Sequence, residues 1–333
     1  HVIPDNYPLY VYYRWLWKQG DGWNDLHTAV DQGLKSTGRQ DLMTFYAPAV
    51  RAASVWGSGG HVDQIGQWSY SYPDPIRVGM DVDECFAMAA GADRPGQVQS
   101  AVQLIWYRSQ TAPPPGEAAT AQTAQFMDKD TPGARGEDEG GPAVAEWERE
   151  QPDARFITIA PMHLREAVWT KLARPIQAMQ HHGWQSLVDT GLKDAYRYTN
   201  PDTQDELQRL ARTVYEPLQP ALMQVPDRPT DVAFLESFAA QMFAQRGTFG
   251  WNGGWEGDAY LVLQYAQLQP QVIYDETVQR KGLDGFRVLV LVDCDVLLRS
   301  VVDKIRAFQA AGGIVVGDEN LCPAIQPDIL LHS

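Results

Sequence analysis

The stretch Phe286-Arg-Val-Leu-Val-Leu-Val292, followed by Ser300 to Ala311 and then by Gly312-Gly-Ile-Val-Val316, decides the fold. The first run is apolar without alternation and strand-sized, which predicts a β-strand buried on both faces. Ser300 to Ala311 has helical spacing and stops at the Gly312-Gly313 pair, and Ile314 to Val316 reads as a further strand. Two buried strands joined by a helix make a parallel βα unit. Working outward, Gln271-Val-Ile-Tyr274 and Asp231-Val-Ala-Phe-Leu-Glu-Ser-Phe238 are strands, and Gly257 to Leu268 is a helix between them. A polar helix, Thr203 to Tyr215, is expected to break at Glu216-Pro-Leu-Gln-Pro220. These elements predict a compact three-layer α/β unit over residues 223–333.

Residues 1–222 repeat the strand–helix alternation. Strands are expected at Tyr7 to Trp17, Asp41 to Tyr46, His61 to Tyr72, Ala101 to Tyr107 and Ile176 to Trp184. Helices are expected from Asn24 to Gly38, from Asp81 to Ala90 and from Met162 to Ala173. Thr111 to Pro152, rich in Pro, Gly, Ala and acids, interrupts them as a long loop. The pattern reads as barrel-type βα units. About five such strands precede residue 190, whereas a closed (β/α)8 barrel needs eight. The chain is therefore expected to be the C-terminal part of a longer polypeptide.

Charge narrows the partners. Lys and Arg number 27 against 42 Asp and Glu, a formal net charge of -15. Phosphate backbones and anionic membranes would be repelled, so neither nucleic acid nor a membrane is expected as a partner. No apolar run approaches the ~20 residues needed to span a bilayer. Cys85, Cys294 and Cys322 form no Cys-x-x-Cys pair, so neither zinc nor a disulfide framework is indicated and the redox compartment stays open, secretion and the periplasm included. Asp128-x-Asp130-x-x-Gly133 with Glu139 has the outline of a calcium loop, but Pro132 takes a ligand position, and a solvated acidic loop is the reading adopted. No metal or cofactor is expected. Eleven Trp and 14 Tyr stand beside 10 Phe. Rings with one apolar face and one polar handle suit the C–H faces and hydroxyl edges of sugars.

The segments Val232-Ala-Phe-Leu-Glu-Ser-Phe238, Gln271-Val-Ile-Tyr-Asp-Glu276, Gly285 to Val292 and Phe308-Gln-Ala-Ala-Gly-Gly-Ile-Val-Val316 resemble the flavodoxin-like domain, similar to class I glutamine amidotransferases, that follows the barrel in the beta-galactosidase family with a trimerisation domain. The upstream half resembles the later βα units of the (β/α)8 barrel in the same glycosidase clan, with Met162 to Ala173 as the seventh helix and Ile176 to Trp184 as the eighth strand. The resemblance implies a glycoside hydrolase, a saccharide substrate and homo-oligomers. It also implies an Asn-Glu pair after the fourth strand and a Glu after the seventh. Trp-Leu-Trp-Lys-Gln-Gly-Asp21 and Arg108-Ser-Gln110 stand there instead. Lost catalysis, leaving a carbohydrate-binding or assembly module, is the alternative. Amidotransferase chemistry is set aside because Asp293 and Asp295 flank Cys294 and would suppress its thiolate.

Asp21 and Asp74, near expected strand ends, are the candidate catalytic carboxylates. Trp15, Trp17, Trp68, Tyr70, Trp106, Arg108, His182 and Trp184 are the candidate saccharide-binding residues, on the expectation that parallel strands deliver them to one rim. Successive strand residues point oppositely, so only one of His181 and His182 can face that rim.

Overall fold

A computed structural model describes residues 1–20, 22–39, 41–47, 57, 59–68, 75–91, 97–107, 156–189, 197–225, 229–244 and 254–332, without the side chains of 67–68, 75–78, 106–107 and 254–255. A short strand β1 (Val2–Ile3) leads into helix α1 (Pro8–Trp15), a π-helical turn (Leu16–Gly20) and helix α2 (Trp23–Lys35). Strands β2 (Phe45–Tyr46) and β3 (Gln64–Trp68), helix α3 (Pro75–Ala89) and strand β4 (Gln97–Gln103) follow. Next come β5 (Ile105–Tyr107), β6 (Phe156–Thr158), α4 (Pro161–Leu172) and β7 (Ala178–His182). Helix α5 (Asp202–Leu210) passes through a π-helical turn (Ala211–Tyr215) into α6 (Glu216–Leu222). The last third runs β8 (Val232–Glu236), α7 (Phe238–Ala244), α8 (Gly254–Tyr265), β9 (Gln271–Tyr274), α9 (Asp275–Lys281), β10 (Val288–Leu291), β11 (Leu297–Leu298), α10 (Arg299–Ala310), β12 (Ile314–Gly317) and β13 (Ile329–Leu330).

The protein is a parallel α/β structure with two main sheets. One has the order β2-β3-β4-β7, all neighbours parallel and in chain order, the arrangement of barrel-type βα units. The other has the order β13-β12-β10-β8-β9, also parallel throughout. In that sheet successive residues serve opposite cores. Ala233, Leu235, Leu289, Leu291 and Val315 join Val301, Ile305 and Phe308 of α10. Val232, Phe234, Val290 and Val292 join Met80 and Met88 of α3 and Tyr260 of α8. Each fully buried aliphatic side chain contributes about 1.5–3 kcal/mol by leaving water. Helix α3 also packs through Val82 and Cys85 in the cluster that holds Ile65 and Val98 of the barrel-type sheet. It is thus a shared layer between the two sheets.

Three expectations need correction. Tyr7 to Trp17 is helix, not strand. Pro8 stands at the first helical turn, and Tyr7, Tyr10 and Tyr13, three apart, form one face. That face packs on α7, with Tyr10 against Phe238 at 5.8 Å and Tyr7 and Tyr13 against Phe243 at 5.7 and 6.1 Å. Tertiary packing on these rings overrides the β propensity of the run. The segment belongs beside the last third of the chain: β1 pairs in parallel with β11, Asp5 accepts from the Ser300 N–H, and Arg14 pairs with Glu276. Ala101 to Tyr107 is not one strand: the sheet strand ends at Gln103, and β5 turns away to pair antiparallel with β6, Tyr107 opposite Phe156. Finally, Glu216 to Pro220 does not end the helix: α6 continues from the π-helical turn with Pro217 in its first turn and Pro220 in its interior.

Candidate functional site

The barrel-type sheet has two unlike faces. One packs on helices. From it Ser100 accepts from Lys171 Nζ at 2.5 Å, and His181 Nε2 lies 3.1 Å from the Tyr215 hydroxyl. Burial, with the Lys171 charge adding to it, pushes the His181 imidazole down to about 4, so it is neutral. The opposite face follows from the register. Gln64 is opposite Gln97, Gly66 opposite Gln99, Gln99 opposite Ala178, Ala101 opposite Gln180, and Gln103 opposite His182. Gln64 Nε2 donates to Gln97 Oε1 at 3.3 Å, and a Cβ on Gly66 would stand 2.8 Å from Gln99 Cγ. Gln64, Gln99 and Gln103 are buried, whereas Gln180 is exposed. The face is a ladder of neutral amides, each able to donate and accept.

The ladder ends at the carboxyl edge of β4 and β7. Leu104 N–H donates to the His182 carbonyl at 2.7 Å and closes the pair. Gln103 is 1% exposed, yet neither its Nε2 nor its Oε1 has a hydrogen-bond partner. Among the described residues no other side chain has both polar atoms in that condition. Burial lowers the His182 pKa, which favours neutral imidazole at pH 7. Trp184 opens a 3-10 turn directly after β7 and is 57% exposed. Gly183 joins the two at φ +93°, and a Cβ there would stand 2.7 Å from Ile105 Cγ2. Gly183→Ala is therefore expected to cost about 1–3 kcal/mol and to displace Trp184. Urea denaturation and the Trp emission maximum check this; an unchanged midpoint and spectrum count against it.

His182 is paired with Gln103 at the carboxyl edge of the sheet, and Trp184 follows just after β7 with its ring 6.4 Å from that of His181, on the helix-side face. The structure takes Trp15 and Trp17 elsewhere. Trp15 lines an open cleft of about 560 Å³ with Arg14, Lys18, Asp25 and His61. Gly60 and His61 precede β3, and Gly91 of the same cleft precedes β4, so this is the amino end of the sheet. Trp17 packs on the core shared by α1, α7 and α10. The expected shared rim of rings therefore does not include them, because their segment is helical. Asp21, Tyr70, Asp74 and Arg108 lie outside the described residues, as do the side chains of Trp68 and Trp106. Gly20, before Asp21, follows the cleft residue Gln19, while Pro75, after Asp74, starts α3. The Gln residues escaped the sequence reading. Their signal was present as Gln97, Gln99 and Gln103, spaced by two and four along one strand.

A second group of polar residues stands at the carboxyl edge of the five-stranded sheet, but its members serve the fold. Asp275 accepts from Ser237 Oγ at 3.0 Å and from the Ala239 N–H at 3.2 Å, and Asp318 accepts from the Asp293 N–H at 2.8 Å. Cys294 is buried, and burial together with Glu256 and the neighbouring aspartates pushes its thiol well up, so it is no nucleophile. This negative edge is unsuited to a phosphate. Among the described residues no group of three or more His, Cys, Asp or Glu is arranged to hold a metal ion, and no helix is long and apolar enough to cross a membrane.

No protein-family model matches the chain, and no curated protein does. Among solved structures, it is similar to a GH42 beta-galactosidase from G. stearothermophilus at 12% identity and TM-score 0.47, over 86% of this chain and 38% of that one. A beta-galactosidase from Marinomonas ef1 aligns at 12% identity and TM-score 0.39, over 81% of this chain and 42% of that one. A GH5_18 protein from Bifidobacterium longum in complex with Manb1-4GlcNAc aligns at 14% identity and TM-score 0.41, over 78% and 56%. The chain spans less than two thirds of the length of each. These likenesses are too slight to bear on activity.

Proposed function

We propose that the protein is glycoside hydrolase-like and takes up a saccharide at the carboxyl edge of the barrel-type sheet, on the exposed ring of Trp184. The observation that carries this reading is the exposed indole of Trp184 directly after β7 at the carboxyl edge, beside the polar end of the strand at His182. An indole face covers sugar C–H groups. Hydrolysis needs two carboxylates about 5–10 Å apart. The described strand ends of β2, β4 and β7 bring none to this edge. Turnover at this edge would therefore have to draw on Asp74, which directly precedes α3, and unchanged turnover in Asp74→Asn excludes it. The last sheet, with the strand order 2-1-3-4-5 that flavodoxin-like folds share, is proposed as a supporting domain.

The test is calorimetric titration of the protein with neutral oligosaccharides. Trp184→Ala is expected to weaken binding roughly tenfold, the equivalent of about 1.4 kcal/mol of lost stacking. Absence of any saccharide binding, or full affinity in the variant, refutes the site.

A further inference from the structure

We infer that the open cleft beside Trp15, at the amino end of the barrel-type sheet, is a second saccharide-binding site, one that shares no residue with the Trp184 edge. Its volume of about 560 Å³ is in the range of small-ligand pockets. The indole of Trp15 lines it and is 49% exposed. That ring is held as a plate. A Cβ on Gly20 would collide with its six-membered ring, so only glycine lets the π-helical turn approach so closely, and Tyr12 packs on the ring at 6.0 Å. The walls are fixed too. Asn24 Nδ2 donates to the Lys18 carbonyl at 2.8 Å, Asn24 Oδ1 accepts from the Gly59 N–H at 2.7 Å, and Thr28 Oγ1 accepts from the His61 N–H at 3.2 Å. A preformed cleft spares the ligand the cost of ordering it. The accessible polar groups then select the ligand class. Gln19 and Asp25 are exposed on the cleft, and their side chains have no partner among the described residues. Arg14 pairs with Glu276 and keeps its other N–H donors, and Lys18 Nζ stands 3.7 Å from the same carboxylate. Donors and acceptors thus surround one apolar plate, the complement of a pyranose, whose C–H face meets an aromatic ring while its hydroxyls both donate and accept. Glu276 and Asp25 balance the two cations, so an anion gains no net attraction there, and a wholly apolar ligand would leave Arg14, Gln19 and Asp25 without partners.

The test is calorimetric titration of the full chain with lactose, cellobiose and mannobiose, in wild type and variants, with the melting temperature of each variant recorded. Trp15→Ala is expected to weaken one binding site roughly tenfold or more while leaving the other, and Trp184→Ala to do the converse. Trp15→Phe keeps an aromatic plate and should restore part of the loss. Gln19→Ala, a change at an exposed side chain, should weaken the same site several-fold with the melting temperature unchanged. Wild-type binding in Trp15→Ala overturns the inference and leaves the Trp184 site standing. A loss in Trp15→Ala that comes with a lowered melting temperature and is absent from Gln19→Ala also overturns it, since the ring then serves the fold. Binding lost in Trp15→Ala and Gln19→Ala but untouched in Trp184→Ala upholds this site and removes the function proposed above. If no probe binds the wild type, both fall.

Discussion

Asp83→Ala is expected to destabilise the protein by about 2–4 kcal/mol, less than a fully buried ion pair because both partners keep some exposure. Asp83 on α3 receives two bonds from Arg174, Nε at 2.7 Å and Nη2 at 2.9 Å, and Tyr260 of α8 donates its hydroxyl to the same carboxylate. Arg174 also donates to the Thr170 carbonyl at 2.8 Å. Burial opposes the guanidinium charge, but Asp83 and Tyr260 more than offset it and hold the group firmly protonated. The network therefore ties the end of α4, the shared helix α3 and the α8 layer of the other sheet at one point. Removing the carboxylate strands a buried cation between the two sheets. Urea denaturation of the variant measures the loss, and a change below about 1 kcal/mol would show the pair to be dispensable. Tyr260→Phe should cost only about 1 kcal/mol, since the bidentate pair survives it.

The second large effect is a pH dependence written into Asp275. Burial raises this carboxyl to about 7, against the hydrogen bonds from Ala239 and Ser237 that favour its ionised form, and Oδ1 has no partner. The folded state therefore holds a proton that the unfolded chain releases near its ordinary value of 3.8. The sign follows from linkage. Below about pH 4 both states are protonated, and the group is neutral in its effect. As pH rises toward 7 unfolding releases a proton, so stability falls, and above 7 the loss is complete. A shift from 3.8 to about 7 corresponds to roughly 4 kcal/mol at its fullest. Asp275→Asn, which keeps the Oδ acceptor, should be the more stable protein at pH 8 and should remove most of the fall between pH 5 and 8. Denaturation midpoints at the two pH values decide it; a variant with the wild-type slope refutes the assignment.

The candidate site was partly legible. Strand alternation showed that at most one of His181 and His182 faces the edge but not which, and Trp184 was marked by its place after the strand. Gln103 was not, because its end position depended on where β4 leaves the sheet. Ala101 to Tyr107 is uniformly apolar or aromatic apart from Gln103, and nothing local marks the break at Leu104. The break exists because Leu104 bonds to the His182 carbonyl while Ile105 to Tyr107 find β6 as an antiparallel partner more than forty residues away.

By itself, the amino-acid sequence determined four strands of the last third, β8, β9, β10 and β12, and the helices α8 and α10, while α7, α9, β11 and β13 came only with the tertiary structure. Those runs are long enough, apolar enough and stopped clearly enough at Gly312-Gly313 that no alternative pattern competes. Only the tertiary structure decided the state of Tyr7 to Trp17, whose aromatic and β-branched residues fit a strand equally well until Phe238 and Phe243 present a surface that accepts every third ring. It alone decided that α3 serves two sheets at once. Local pattern reports how many faces an element must bury, whereas which neighbour covers each face is settled by contacts between residues far apart in the chain.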